Sequence, residues 1–162
     1  MNNLLSDTEI SNLLTEQKQL PRLFRPLGTR KEKRGHYESE ITLTGSDGHT
    51  FQIRYRQNTR YPTDFSVILL YQPERTNIAR ILRRYNGKSH EHTNKIERNT
   101  FYNYHIHTMT ERYQREDGCS EDGYAEETER YSTAEEAIDC LIEDCSVRQL
   151  NVNKQLNEFG GA

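Results

Sequence analysis

The chain has 162 residues, the size of one ordinary domain, with a mean hydropathy of −1.04 and a net charge of only −3. Leu, Ile, Val and Phe make up about a fifth of it, near the level below which strongly charged chains stay unfolded. The low net charge and the ring area of ten tyrosines weigh against that outcome. No run of about 18 apolar residues exists, which excludes a membrane-spanning helix.

The N-terminal stretch 3–19 reads as a helix. Ser6 and Glu9 have capping-box spacing, Leu5, Ile10, Leu13 and Leu14 form an apolar stripe, and Pro21 stops it. Residues 21–35 form a basic connector. The period then changes to two. Residues 37–44 and 51–56 alternate on either side of the turn Gly45-Ser46-Asp47-Gly48 and predict a β-hairpin. Residues 65–71 (FSVILLY) are apolar on both faces, as a central strand requires. Residues 78–85 predict a fourth strand, 86–100 a long loop, and 101–109 a fifth strand. Residues 114–130 are acidic and predict a second, mobile loop. Ser132 and Glu135 repeat the capping-box spacing before the stripe Ala134, Ala137, Ile138, Leu141, Ile142 and Cys145, the clearest helix in the chain. The order predicts an α+β fold: an antiparallel sheet of about five strands, with N-terminal and C-terminal helices packed on one face. Residues 1–147 would form a single domain and 148–162 a polar, flexible tail.

Cys119, Cys140 and Cys145 are odd in number and show no CxxC spacing, so neither a disulfide framework nor a cysteine metal site is expected. With no apolar leader either, the expected location is cytoplasmic.

Charge is unevenly spread. Residues 20–100 carry a net +8 and residues 101–162 a net −9. Phosphate-binding surfaces need such local density, so RNA or another polyanion is an expected partner. Arg54, Arg56, Arg80, Arg83 and Lys88 are the candidate contacts. A solvated basic face balanced by the acidic segment is the plainer alternative.

His90-x-His92 and His105-x-His107 place four of six histidines within eighteen residues. In a strand, i and i+2 share a face, so His105 and His107 project together, away from Tyr104 and Ile106 and opposite the core. Three roles compete. In acid–base catalysis, one imidazole accepts a proton and another donates one, as RNA cleavage by its own 2′-hydroxyl needs; Arg84 would stabilise phosphorane charge and Tyr113 would add a hydroxyl. In a metal site, the two pairs would supply four nitrogens, but no carboxylate stands at recognised zinc spacing, so no metal ligand and no cofactor is assigned. In a structural role, the rings only hydrogen-bond to neighbours.

The stretches DGHTFQIRYRQN (47–58), DFSVILLY (64–71), RRYNGKSHEHTN (83–94), YHIHTMTERYQ (104–114) and YSTAEEAIDCLIEDC (131–145) together resemble an uncharacterised family of small bacterial proteins, catalogued as a domain of unknown function. The resemblance covers roughly residues 5–146 and brings no activity with it. Residues 64–110 are also similar to TumE-like toxins of toxin–antitoxin pairs, with Arg84, Tyr85, Asn86, Gly87, His90, His92, His105 and His107 on the shared pattern. The acidic 114–130 insert and the second capped helix depart from it. The paired histidines beside arginine in a basic middle predict a metal-independent endoribonuclease of a toxin or defence type, with an antitoxin as protein partner, and this likeness adds to the nuclease reading by analogy. The alternative is a non-catalytic, phage- or mobile-element-associated regulator that binds nucleic acid or a protein.

Overall fold

Residues 3–21 and 31–149 are described by the computed structural model. The connector residues 22–30 and the tail residues 150–162 lie outside them, so the flexibility expected of that tail is not addressed; Arg148, assigned to it, is in a strand.

Alternating residues build the sheet. Strands β3 (His36–Gly45) and β4 (Thr50–Asn58) pair antiparallel from His36↔Asn58 to Thr44↔Thr50, around a turn in which Gly48 takes φ +88°. Ile41 and Leu43 lie opposite Ile53 and Phe51, so one face of the hairpin is apolar. Strand β5 (Phe65–Gln72) pairs with β4 and is central, as its two-faced apolar pattern requires. It pairs in turn with β6 (Arg80–Asn86), where the register shifts between Leu69 and Leu70. That irregularity lets Leu82 and Tyr85, three residues apart, both be buried in the core. Strand β9 (His105–Thr108) pairs with β6, and β10 (Tyr124–Glu127) with β9. At the far edge β1 (Lys18–Gln19) pairs antiparallel with β3 and parallel with β11 (Val147–Arg148), while β2 (Lys31–Lys33) pairs with the start of β3. The order is β10-β9-β6-β5-β4-β3-β1-β11, with β2 also on β3. A separate hairpin joins β7 (His92–Asn94) to β8 (Asn99–Phe101).

The main sheet therefore has nine strands among the described residues, not about five. Its extra strands are two to four residues long, too short to show a period. The expected loop 86–100 contains the β7–β8 hairpin. The expected mobile loop 114–130 contains β10. The expected strand 101–109 splits into β8 and β9, and Met109, the last residue of that expected strand, joins the main core.

Helix α1 (Asp7–Thr15) has the expected capping box: Ser6 Oγ accepts from Glu9 N, and Ser6 N donates to Glu9 Oε2. It ends at Glu16, short of the expected 19, because Lys18 and Gln19 are taken by the sheet. A short helix α2 (Glu111–Arg115) starts at Thr110. Helix α3 (Ala134–Asp144) is capped by Thr133, one residue after the expected Ser132. Ile10 and Leu13 of α1, and Ala134, Ala137, Ile138 and Leu141 of α3, share one buried cluster with the apolar residues of β3 to β6.

Two buried charges tie α1 to the sheet. Glu16 accepts from Asp47 N and lies 2.6 Å from His49 Nδ1. A Cβ at Gly45 would sit 2.0 Å from its Oε1, so only glycine admits this carboxylate. Lys18 donates its three ammonium protons to the carbonyls of Leu14, Glu16 and Cys145, while burial lowers its pKa to about 8.

Candidate functional site

The histidine site forms where the β7–β8 hairpin meets β9. Tyr104 and Ile106 pack against the main core. By alternation, His105 and His107 take the opposite side of β9, as the sequence predicts. Their exposure differs from the expectation. They are 0% and 3% exposed, because the hairpin covers that side. His92 stacks on His105 at 5.3 Å between ring centroids and meets His107 edge-on at 4.7 Å. Phe101, the cross-strand partner of His92, packs edge-on to His105. The hairpin is held down by Asn94, two residues after His92 and on the same face. Its side-chain amide bonds to Ala125 of β10 in both directions: Nδ2 donates to the carbonyl at 2.8 Å, and Oδ1 accepts from the amide at 2.9 Å.

These partners fix the tautomer of each ring. Asn94 Oδ1 is an acceptor, so His92 Nε2, 2.9 Å away, is the N–H that donates to it. His105 Nδ1 donates to the Asn103 carbonyl at 2.6 Å. His107 Nδ1 donates to the Asp122 carbonyl at 2.7 Å. Each ring thus commits one N–H to a protein acceptor and keeps one lone-pair nitrogen: Nδ1 of His92, Nε2 of His105 and Nε2 of His107. One ring nitrogen from each of the three residues lies within 4.8 Å of the others. His105 Nε2 has only a 3.4 Å contact from Asn86 Nδ2. His107 Nε2 is buried with no hydrogen-bond partner.

Burial keeps both strand rings neutral. It is the largest cause that lowers the pKa of His105 to about 4 and that of His107 to about 2, with the nearby Arg84 charge the second cause for His107. Arg84 lies opposite His107 in the β6–β9 ladder, and its guanidinium is 2.7 Å from Asp122 Oδ2. Arg84 Nε and Asp122 Oδ2 are, with His107 Nε2, the buried side-chain polar atoms without a hydrogen bond among the described residues.

Of the other predicted residues, His90 stays beside the three rings and the rest are dispersed. His90 is exposed, with its ring 5.4 Å from that of His105. Tyr113 is on α2, where its hydroxyl donates to Glu97 at 2.6 Å and accepts from Ile96 N. Burial, and then that bond to Glu97, raise its pKa to about 12. On β4, Arg54 and Arg56 face Glu40 and Glu38 at 3.6 and 3.8 Å. Arg80 is clamped by Glu121, Gln114 and the Asn3 carbonyl. Arg83 lies 3.6 Å from Asp144. Lys88 is exposed in the turn after β6.

Sequence reasoning missed Asn94, Asn103 and Asp122. A signal existed for Asn94, which continues the two-residue spacing of His90 and His92. None existed for Asn103 and Asp122, which act through backbone carbonyls that any residue carries.

The chain belongs to DUF6978, a family of unknown function, whose profile matches residues 5–147. No curated protein and no solved structure matches it. Among the described residues, no helix is long and apolar enough to cross a membrane.

Proposed function

We propose that this member of DUF6978 is a metal-binding protein built on a three-histidine centre, with His92, His105 and His107 as ligands to a divalent first-row transition ion such as zinc. One observation carries the reading: three imidazoles each commit one nitrogen to a fixed protein acceptor, and one ring nitrogen from each of the three lies within 4.8 Å of the others. Metal-ligating histidines carry such partners, which fix the tautomer and raise ligand basicity. An all-imidazole set suits zinc, copper, iron or nickel better than the oxygen-seeking magnesium or calcium. A bond length of 2.0–2.1 Å puts tetrahedral ligands about 3.3 Å apart, so binding would shorten the distances between the nitrogens by at most about 1.5 Å. Three protein ligands are also the number found where water or substrate takes the fourth position and the metal acts as a Lewis acid.

The metal-free ribonuclease reading draws less support from the same residues. It needs a ring that gains and loses a proton near neutrality. Burial instead lowers the pKa of both strand histidines to about 4 or below. Tyr113, its expected hydroxyl, is bonded to Glu97. RNA stays a proposed substrate only in combination with the metal.

The test is elemental analysis of the full chain purified without a histidine tag, alongside incubation with total RNA with and without EDTA. The reading expects about one transition ion per chain, lost in a His92→Ala/His107→Ala variant. Protein that takes up no metal from a zinc, cobalt or nickel solution refutes it. RNA cleavage that survives EDTA and disappears in His105→Ala/His107→Ala would favour acid–base catalysis.

A further inference from the structure

We infer that His90 is an exchangeable fourth ligand, which closes the centre when turned in and yields its place to a small anion when turned out. The inference rests on the three-histidine reading above. His90 is the nearest unassigned imidazole: its centroid is 5.4 Å from that of His105, against 5.0 Å for His105–His107 and 5.3 Å for His92–His105. It also repeats the pattern of the other three. Ser89 Oγ lies 3.3 Å from Asp64 Oδ1 and 3.2 Å from His90 Nδ1. With Nδ1 engaged by that hydroxyl, Nε2 is the ring nitrogen available to a metal.

The segment that carries His90 hangs from a fixed point. Gly87 N donates to the Phe65 carbonyl at 2.9 Å. A Cβ at Gly87 would lie 1.9 Å from the Thr63 carbonyl oxygen, so only glycine allows the two segments to run this close. Beyond that anchor, Lys88, Ser89 and His90 run along the surface to β7. His90 is exposed where His105 and His107 are buried. Its ring nitrogens are not part of the group that lies within 4.8 Å. The ring must turn inward to ligate, and turned outward it leaves a coordination position reachable from solvent. The ligand class that fits that position is a small anion: azide as a probe, a carboxylate or phosphate oxygen as a substrate group.

The experiment is an azide titration of the cobalt(II)-loaded full chain, followed by its visible spectrum. His90→Ala is expected to change the cobalt spectrum and to bind azide about tenfold more tightly, because an imidazole that occupies the position nine-tenths of the time reduces apparent affinity by that factor. Ser89→Ala releases the ring from its hydroxyl partner and is expected to weaken azide binding. Cobalt-loaded His90→Ala with the spectrum and azide affinity of the wild type overturns the fourth-ligand role while leaving the three-histidine centre intact. Wild-type protein that takes up no cobalt removes the centre, and this inference with it.

Discussion

Acidification should unfold the metal-free protein through its two buried strand histidines. In the fold, His105 has a pKa of about 4 and His107 of about 2. An unfolded histidine sits near 6.5. Because the folded values are lowered, the unfolded state binds more protons below pH 6.5. The stability these rings lend is fully present above that pH and is lost as pH falls toward the folded values. Between pH 8 and pH 5 the linkage relation gives about 2 kcal/mol for each ring, or about 4 kcal/mol together. That is a large part of the roughly 5–15 kcal/mol that holds a domain together. The assay is urea denaturation at half-unit pH intervals with a chelator present. At a slope of about 2 kcal/mol/M the midpoint should fall by about 2 M over that range. His107→Gln, which carries no titrating ring, should show about half the pH slope whatever its absolute stability. A wild-type midpoint that moves by less than about 0.5 M, or a His107→Gln variant with the full slope, refutes the claim that these rings are buried and neutral.

Other perturbations test the supports of the site. Asn94→Ala leaves the Ala125 amide and carbonyl unpaired beneath the hairpin, and should cost about 1–3 kcal/mol in thermal or urea unfolding. The same variant should weaken zinc binding by about 10–100-fold in a competition titration, since His92 loses the acceptor of its N–H. Gly87→Ala drives a Cβ against the Thr63 carbonyl and should destabilise by about 1–3 kcal/mol, read as a lower melting temperature. Lys18→Met strands the three carbonyls that the ammonium serves and should cost several kcal/mol, on the order of 1–3 for each acceptor left dry. Arg54→Ala/Arg56→Ala removes two exposed, carboxylate-facing cations and should change stability by no more than about 1 kcal/mol.

Elements that present a full period were legible in the sequence. The hairpin of β3 and β4 shows alternation over residues 37–44 and 51–56 around a Gly-containing turn, and α1 and α3 show a capped apolar stripe. The hairpin of β7 and β8 was not legible, because three residues per strand carry no measurable alternation and its turn is closed by Arg98, a non-glycine residue at φ +58°. That hairpin decides the chemistry of the site. Without it His105 and His107 would be solvated rings on an open face, suited to proton transfer. With it they are dry, neutral and fixed in tautomer. The basic middle of the chain is likewise real in sequence and weaker in space. Arg80 is matched by Glu121 and Arg83 by Asp144, both from the acidic C-terminal part, and Arg54 by Glu40 across the hairpin.

A chain with so few aliphatic residues has one apolar core to build, and it places that core between α1, α3 and the strands they cover. The opposite side of β9 is covered with imidazole and amide groups instead of leucines. For packing alone this is a poor choice. The buried His107 Nε2 lacks a partner, at about 1–3 kcal/mol, and the buried Arg84 Nε beside it is also without a hydrogen bond. The two buried strand rings also lose the solvation that exposed histidines keep. An apolar trio of similar volume under the same hairpin would avoid both penalties. A bound cation reverses the balance: it takes the three lone pairs, including the orphaned one, and its binding energy becomes folding energy for the hairpin that completes the site. On this view metal and hairpin are one unit, and removing the ion should loosen β7 and β8 before the nine-stranded sheet. Hydrogen exchange with and without EDTA reads this directly: amides of residues 92–101 should lose protection first, while those of β4 and β5 are unchanged.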